Sequence, residues 1–162
     1  MTLSMRPAGP PASELVVRVL GIDLGTKRIG LALSDSSATV ASPLTVVVRE
    51  GDRESQHRVL REIVTEYEAE LVVVGLPLSL DGTIGPAAQR ALDEIDKLRA
   101  TIGVPVEPYD ERLTTVTADR ALGSAGVRGS KRRAVIDKVA AAVMLQAWLD
   151  SRAVARDLEE TE

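Results

Sequence analysis

Three carboxylates, Asp23, Glu111 and Asp137, are the residues whose types and positions could do chemistry in this chain. Asp23 closes an apolar run, Leu15 to Ile22, and is followed two residues later by Gly25 and then by Lys27-Arg28. Glu111 lies in Asp110-Glu111-Arg112-Leu113-Thr114-Thr115, directly after an apolar stretch flanked by prolines. Asp137 stands beside an apolar helical stripe, an unusual place because Asp is among the residues least often buried. Each has an ordinary structural explanation when taken alone; Asp23, for instance, serves equally well as a turn cap. Gathered in one place, the three would repel one another unless protons were retained or a divalent cation were bound. All-oxygen ligation selects Mg²⁺ or Mn²⁺. Two such ions about 4 Å apart activate a water and stabilise the leaving oxygen in phosphodiester cleavage.

Composition removes most other chemistries. The chain has no Cys and a single histidine, His57, so thiolate nucleophiles, Cys-based zinc sites and disulfides are excluded, and a Ser-His-Asp triad is poorly supplied. As a lone His on a polar turn, His57 reads as a surface residue. At 162 residues, 44% hydrophobic and 27% charged, the chain suits one domain with a substantial core. With no Phe, one Trp and two Tyr, that core must be built from Val, Leu, Ile and Ala. No apolar run reaches the roughly 20 residues that span a bilayer, and Met1 to Ser13 lacks the basic start and long apolar core of a signal peptide. The expectation is a cytoplasmic protein with a disordered extension over 1–14, a domain over 15–151 and a charged, frayed tail over 152–162. Met5 is an alternative start.

The elements that must position the acids follow from periodicity. Two apolar runs around the glycine-containing turn at Gly25 read as a hairpin, and Val40 to Val48 reads as a third strand, with Pro43 placing it at an edge. From Asp52 the period becomes helical, through Val59, Leu60, Ile63, Val64 and Tyr67. Leu71 to Val74 is a strand buried on both faces. A second helix runs from about Pro86 to Ile102 and is stopped by Gly103. Val104 to Tyr109 is a fifth strand, and Thr114 or Thr115 caps a helix running to about Leu122. Gly123 to Gly129 is a loop. A last helix runs from about Ala134 to Ser151, with Val139, Ala140, Val143, Met144, Ala147 and Trp148 as its stripe. An antiparallel meander followed by strand–helix alternation predicts an α/β fold: a mixed five-stranded sheet with helices on both faces.

Charge is uneven along the chain. The net charge is −4, yet Arg112 to Lys138 holds seven Lys or Arg against two acids, a local +5 on a remainder of −9. A basic segment on an acidic body is a candidate phosphate-binding site; a solvated charged surface is the commoner outcome for any single cluster. The loop Gly75 to Thr83, rich in Gly, Pro and hydroxyls, follows a buried strand at the end where α/β sheets bind ligands.

Four motifs, in order and at the right spacing, resemble the bacterial YqgF family. They are Gly21-Ile22-Asp23-Leu24-Gly25-Thr26-Lys27-Arg28-Ile29-Gly30, Val74 to Thr83, Asp110 to Thr115, and Lys131 with Asp137-Lys138-Val139-Ala140-Ala141. The likeness spans roughly Val17 to Leu149. That family is described as pre-16S rRNA nucleases, also as Holliday junction resolvase-like proteins, with an RNase H-like fold. The resemblance implies that Asp23, Glu111 and Asp137 are the metal-binding catalytic acids, with Asp23 bridging two Mg²⁺ or Mn²⁺ ions.

Lys27, Arg112, Lys131, Arg132 and Arg133 are then expected phosphate contacts, and Thr26, Ser79 and Thr83 expected hydrogen-bond partners of phosphate or the ribose 2′-OH. Asp110 is expected to orient Arg112 or the turn. With so few aromatics, base stacking contributes little and sequence specificity should be low. The expected partner is nucleic acid, pre-rRNA first, either free or within the ribosomal precursor particle, with the protein a monomer or homodimer and no membrane involved. A four-way DNA junction is an alternative substrate, for which a symmetric dimer would place two cuts. A non-catalytic nucleic-acid-binding module is another alternative, opposed by the intact acid set. The Asp-Leu-Gly-Thr hairpin also looks like the first phosphate motif of sugar kinases and actin-type ATPases, but those need two such domains and this chain is too short.

Overall fold

The computed structural model describes residues 18–113 and 130–161. The leader, the helix expected from Thr114 or Thr115 and the loop Gly123 to Gly129 lie outside the described residues. Five strands form one sheet: β1 (Val19–Leu24), β2 (Arg28–Ser34), β3 (Ala41–Val48), β4 (Leu71–Leu76) and β5 (Val106–Asp110). Their order is β3-β2-β1-β4-β5. β1, β2 and β3 pair antiparallel, and β4 and β5 join parallel to β1. This is the mixed five-stranded α/β sheet that the sequence predicts. Pro43 lies in the edge strand β3, where its missing N–H is tolerated. The pairing slips beside it, with Leu31 opposite Thr45 but Ala32 opposite Pro43.

The alternation of the central strands divides the core into two layers. Leu20, Ile22, Val72 and Val74 face α1 (Arg53–Glu66) and α2 (Pro86–Ile102), packing with Leu60, Val64, Ile95 and Leu98. Val19, Leu71 and Val73 face the opposite side and pack against α3 (Ser130–Glu160). All six residues of β4 are buried, as its unbroken apolar run requires. Asp52 caps α1 through a bond from the Ser55 amide. Gly103 ends α2 in the left-handed region at φ +81°, where a glycine costs least.

Three expectations are corrected. α3 continues past Ser151 to Glu160, because Arg152 is held rather than frayed. Its guanidinium lies 5.0 Å from the Trp148 ring and 3.2 Å from Glu107 of β5. The buried stripe of α3 is rotated by about one residue from the expected one. Ala141, Met144, Leu145 and Trp148 face the sheet, while Val139 is 43% exposed. His57 is not a surface residue: it is buried, with its Nε2 2.9 Å from Glu94 Oε1 on α2.

Candidate nuclease site

Asp23 points to the α3 side of the sheet. Two residues before it on the same strand, a Cβ built on Gly21 would stand 2.9 Å from Leu145 Cβ of α3, and residues i and i+2 share a face. Asp23 is flanked by glycines on both neighbouring strands. On β2 its register partner is Gly30. On β4, where Ile22 pairs with Val74, the next residue along is Gly75.

Both glycines leave space that the site uses. A Cβ on Gly30 would collide with the backbone carbonyl of Asp137, so α3 passes directly over β2 there. A Cβ on Gly75 would collide with the Glu111 carboxylate. Glu111 opens the 3₁₀ turn Glu111–Leu113 directly after β5, and its side chain reaches back across the bare backbone of β4 toward β1. Asp23 and Glu111 are both 5% exposed. The sequence reading found the acids, placed Gly75 in the loop after a strand and gave Gly30 no role; the space that both clear depends on pairing between distant segments.

Asp137 arrives from above on α3 with its carboxylate turned to β2. Arg28 Nε donates to its Oδ2 at 2.7 Å, and both side chains are about one-fifth exposed. Among the described residues, no three Asp, Glu or His side chains are spaced as a ready-made metal cage. The structure thus brings Asp23 and Glu111 to neighbouring strand ends and pairs Asp137, about one-fifth exposed, with Arg28. The donor set is all oxygen, which suits a hard divalent cation. The space over Gly30 and Gly75 lies on the same side of the sheet.

The expected phosphate contacts surround this end of the sheet. Thr26 and Lys27 are exposed in the β1–β2 turn. Ser79 and Thr83 belong to the loop after β4, which closes on itself: the Ser79 amide donates to Thr83 O at 3.1 Å, and the Thr83 hydroxyl to Asp81 Oδ1 at 2.7 Å. Hydrogen bonds from Thr83, and the charge of Arg112, hold the Asp81 carboxyl below its ordinary pKa. Arg112 is already engaged. Its Nε and Nη2 donate to Asp110, the latter at 2.6 Å, and Nη1 donates to Leu80 O at 3.3 Å. The bonds from Arg112 are also the main reason that Asp110 sits below the usual carboxylate range. Asp110 therefore orients Arg112, as expected, and Arg112 ties the loop to the end of β5.

Lys131, Arg132 and Arg133 fall in the first turn of α3, where Arg132 and Arg133 are exposed. Cations at a helix N-terminus oppose the macrodipole, each by about 0.3–1 kcal/mol. Helix stability therefore does not account for three of them there.

The relatives of this chain are nucleases, which makes it a hydrolase that acts on phosphodiester bonds. The chain is a member of the RuvX family, whose model, described as Holliday junction resolvase, matches residues 17–151. A Mycobacterium ulcerans protein named "Putative pre-16S rRNA nuclease" is 53% identical over 152 residues, covering 91% of this chain and 88% of that protein. A relative of the same name from Thermoanaerobacter pseudethanolicus is 41% identical over 137 residues, covering 84% of this chain and 98% of its own. Among solved structures, T. thermophilus RuvC in complex with Holliday junction substrate aligns at 20% identity and a TM-score of 0.49, covering 85% of this chain and 96% of that one. No helix among the described residues is long and apolar enough to cross a membrane.

Proposed function

We propose that the chain is a cytoplasmic, divalent-metal-dependent nuclease acting in 5′-end maturation of pre-16S rRNA, with Asp23, Glu111 and Asp137 as its catalytic acids. The observation that carries this reading is the seat of the Glu111 carboxylate over Gly75, the β4 neighbour of Asp23, on the face that α3 covers. Both carboxylates stand at the ends of adjacent strands and offer oxygen ligands of the kind that hard cations take.

Asp23 and Glu111 would hold Mg²⁺ or Mn²⁺, two ions in the full site, and Asp137 completes the set when Arg28 turns from it to a substrate phosphate. A bound ion supplies a polarised phosphoryl oxygen and a water of lowered pKa. The chain's own residues do the rest. Thr26 and Lys27 meet the phosphate at the turn that Asp23 precedes. Ser79 and Thr83 offer hydroxyl oxygens to phosphate or the ribose 2′-OH. Lys131, Arg132 and Arg133 take the chain's flanking phosphates, which makes binding strongly salt-dependent. Arg112 fixes the Ser79–Thr83 loop against β5 and so sets its distance from Glu111.

The names of the relatives favour RNA, whereas the family's description favours a four-way DNA junction. The two readings separate in one assay: RNA carrying the 16S precursor 5′ leader and a four-way junction are each incubated with the protein and Mg²⁺ or Mn²⁺. Cleavage of the RNA alone supports the proposal. Cleavage of the junction alone replaces it with the resolvase reading, for which a homodimer is expected.

A further inference from the structure

On the opposite side of the sheet from Asp23, the same β1–β2 turn forms one wall of a cleft of about 260 Å³. Gly25 and Thr26 close one end, and Leu24 and Pro77 contribute apolar surface. Three arginines, Arg49, Arg53 and Arg90, line it together with the buried Glu94. The lining therefore carries two more positive charges than negative ones.

The three arginines are not equivalent. Arg49 is fully committed: Nε donates to Gly25 O at 2.7 Å, and Nη1 and Nη2 grip Glu94 at 2.8 and 2.9 Å. It neutralises the one acid of the cleft and clamps the turn that carries Thr26. Arg53 is 43% exposed in its side chain and lies 3.9 Å from Glu94, too far for a hydrogen bond. Arg90 is exposed on α2 and makes no ion pair among the described residues. Two guanidinium forks are thus left over, in a concave site with a hydroxyl at its end. Such forks match phosphate oxygens in pairs.

We propose that this cleft is a second phosphate subsite, which takes one nucleotide of a single-stranded segment of the substrate on Arg53 and Arg90, with its sugar against Leu24 and Pro77. The proposal rests on the nuclease reading, because it extends the substrate path from the acids over the Thr26 turn onto the α1–α2 face. Arg49, Glu94 and His57 are positioning residues: they keep the cleft's floor charge-neutral and the turn fixed.

The test is binding of a labelled single-stranded oligoribonucleotide in EDTA at several salt concentrations, so that no cleavage intervenes. Arg53→Gln/Arg90→Gln should weaken binding about tenfold and flatten the log–log salt dependence by about 0.7, the value for one lost phosphate contact on a single strand. The charge-retaining Arg53→Lys/Arg90→Lys variant should recover much of the affinity and the slope. Unchanged affinity and slope in the Gln variant, with cleavage by the wild type intact, would overturn the subsite and leave the nuclease reading standing. A wild type that neither binds nor cleaves RNA or DNA would overturn both. Amide shifts of Gly25 and Thr26 on titration with AMP distinguish a free-nucleotide site. AMP binding that fails to compete with the oligonucleotide would assign the cleft to a free nucleotide and contradict the proposal.

Discussion

Arg28 Nε lies 2.7 Å from Asp137 Oδ2, joining the start of β2 to α3 across 109 residues of chain. It holds the Asp137 carboxylate turned toward β2. Arg28→Gln removes that hold. Without metal, the variant should lose about 1 kcal/mol of stability, the upper end of the range for a partly exposed pair. With Mn²⁺ added, its melting temperature should rise more than that of the wild type, because Asp137 is free to join the other acids. An equal Mn²⁺ shift in both proteins would show that the pair does not compete with the metal.

Gly75 is the clearance for Glu111. A methyl group there occupies the position of the carboxylate, so Gly75→Ala should displace Glu111 while the flanking apolar contacts of β4 persist. Misplacement of a site residue by about 1 Å costs on the order of 100-fold in rate. The expected result is therefore a folded protein with about 100-fold slower cleavage. Normal cleavage with a normal melting curve would mean that the seat of Glu111 is irrelevant to the reaction.

The basic start of α3 gives two effects of opposite sign. Replacing Lys131, Arg132 and Arg133 with Ala should reduce the salt slope of RNA binding by about 2, from three lost single-strand contacts. It should also raise stability slightly, because cations are removed from the positive end of a helix. An unchanged slope would make the segment ordinary surface.

Glu94 is the charge at the centre of the buried network. Burial alone would raise its pKa, but the hydrogen bonds from Arg49 and His57 and the charges of Arg49 and Arg53 outweigh it, so the carboxyl titrates below its ordinary 4.5. The unfolded chain then binds the proton more readily. The stabilisation is complete above about pH 4.5 and is lost as the pH falls through the folded value. Glu94→Gln leaves Arg49 buried beside a neutral amide and should cost about 3 kcal/mol at pH 7. Urea unfolding should show this difference shrinking below pH 4.5; a difference independent of pH would exclude the ion pair as its source.

Local signals made most of the frame legible. Asp52 before a helical period, Pro86 and Gly103 around another, and the unbroken run Leu71–Val74 each act within a few residues, and each element lies where they indicate. What stayed hidden depends on contacts between distant segments. His57 looks solvent-facing on its own turn, and only α2 supplies Glu94 to bury it. Arg49 drew no reading at all, because its partners, Gly25 and Glu94, lie 24 and 45 residues away. The acids were legible as residue types at strand ends, whereas the pairing of Asp137 with Arg28 was not, because nothing in either motif encodes the approach of α3 over Gly30. The end of α3 was missed for the same reason, since Arg152 is anchored by Trp148 and by Glu107 of β5.

The central claim is that Asp23 acts in metal-dependent phosphodiester cleavage, and Asp23→Asn tests it most directly because it changes one oxygen and almost no volume. Wild type and variant should be compared on RNA carrying the 16S precursor 5′ leader, with Mn²⁺, with Mg²⁺ and with EDTA, after matching melting curves establish that both are folded. The account predicts cleavage by the wild type with either metal, and none in EDTA or by the variant. Undiminished cleavage by a clean preparation of the variant, or cleavage that persists in EDTA, would contradict it.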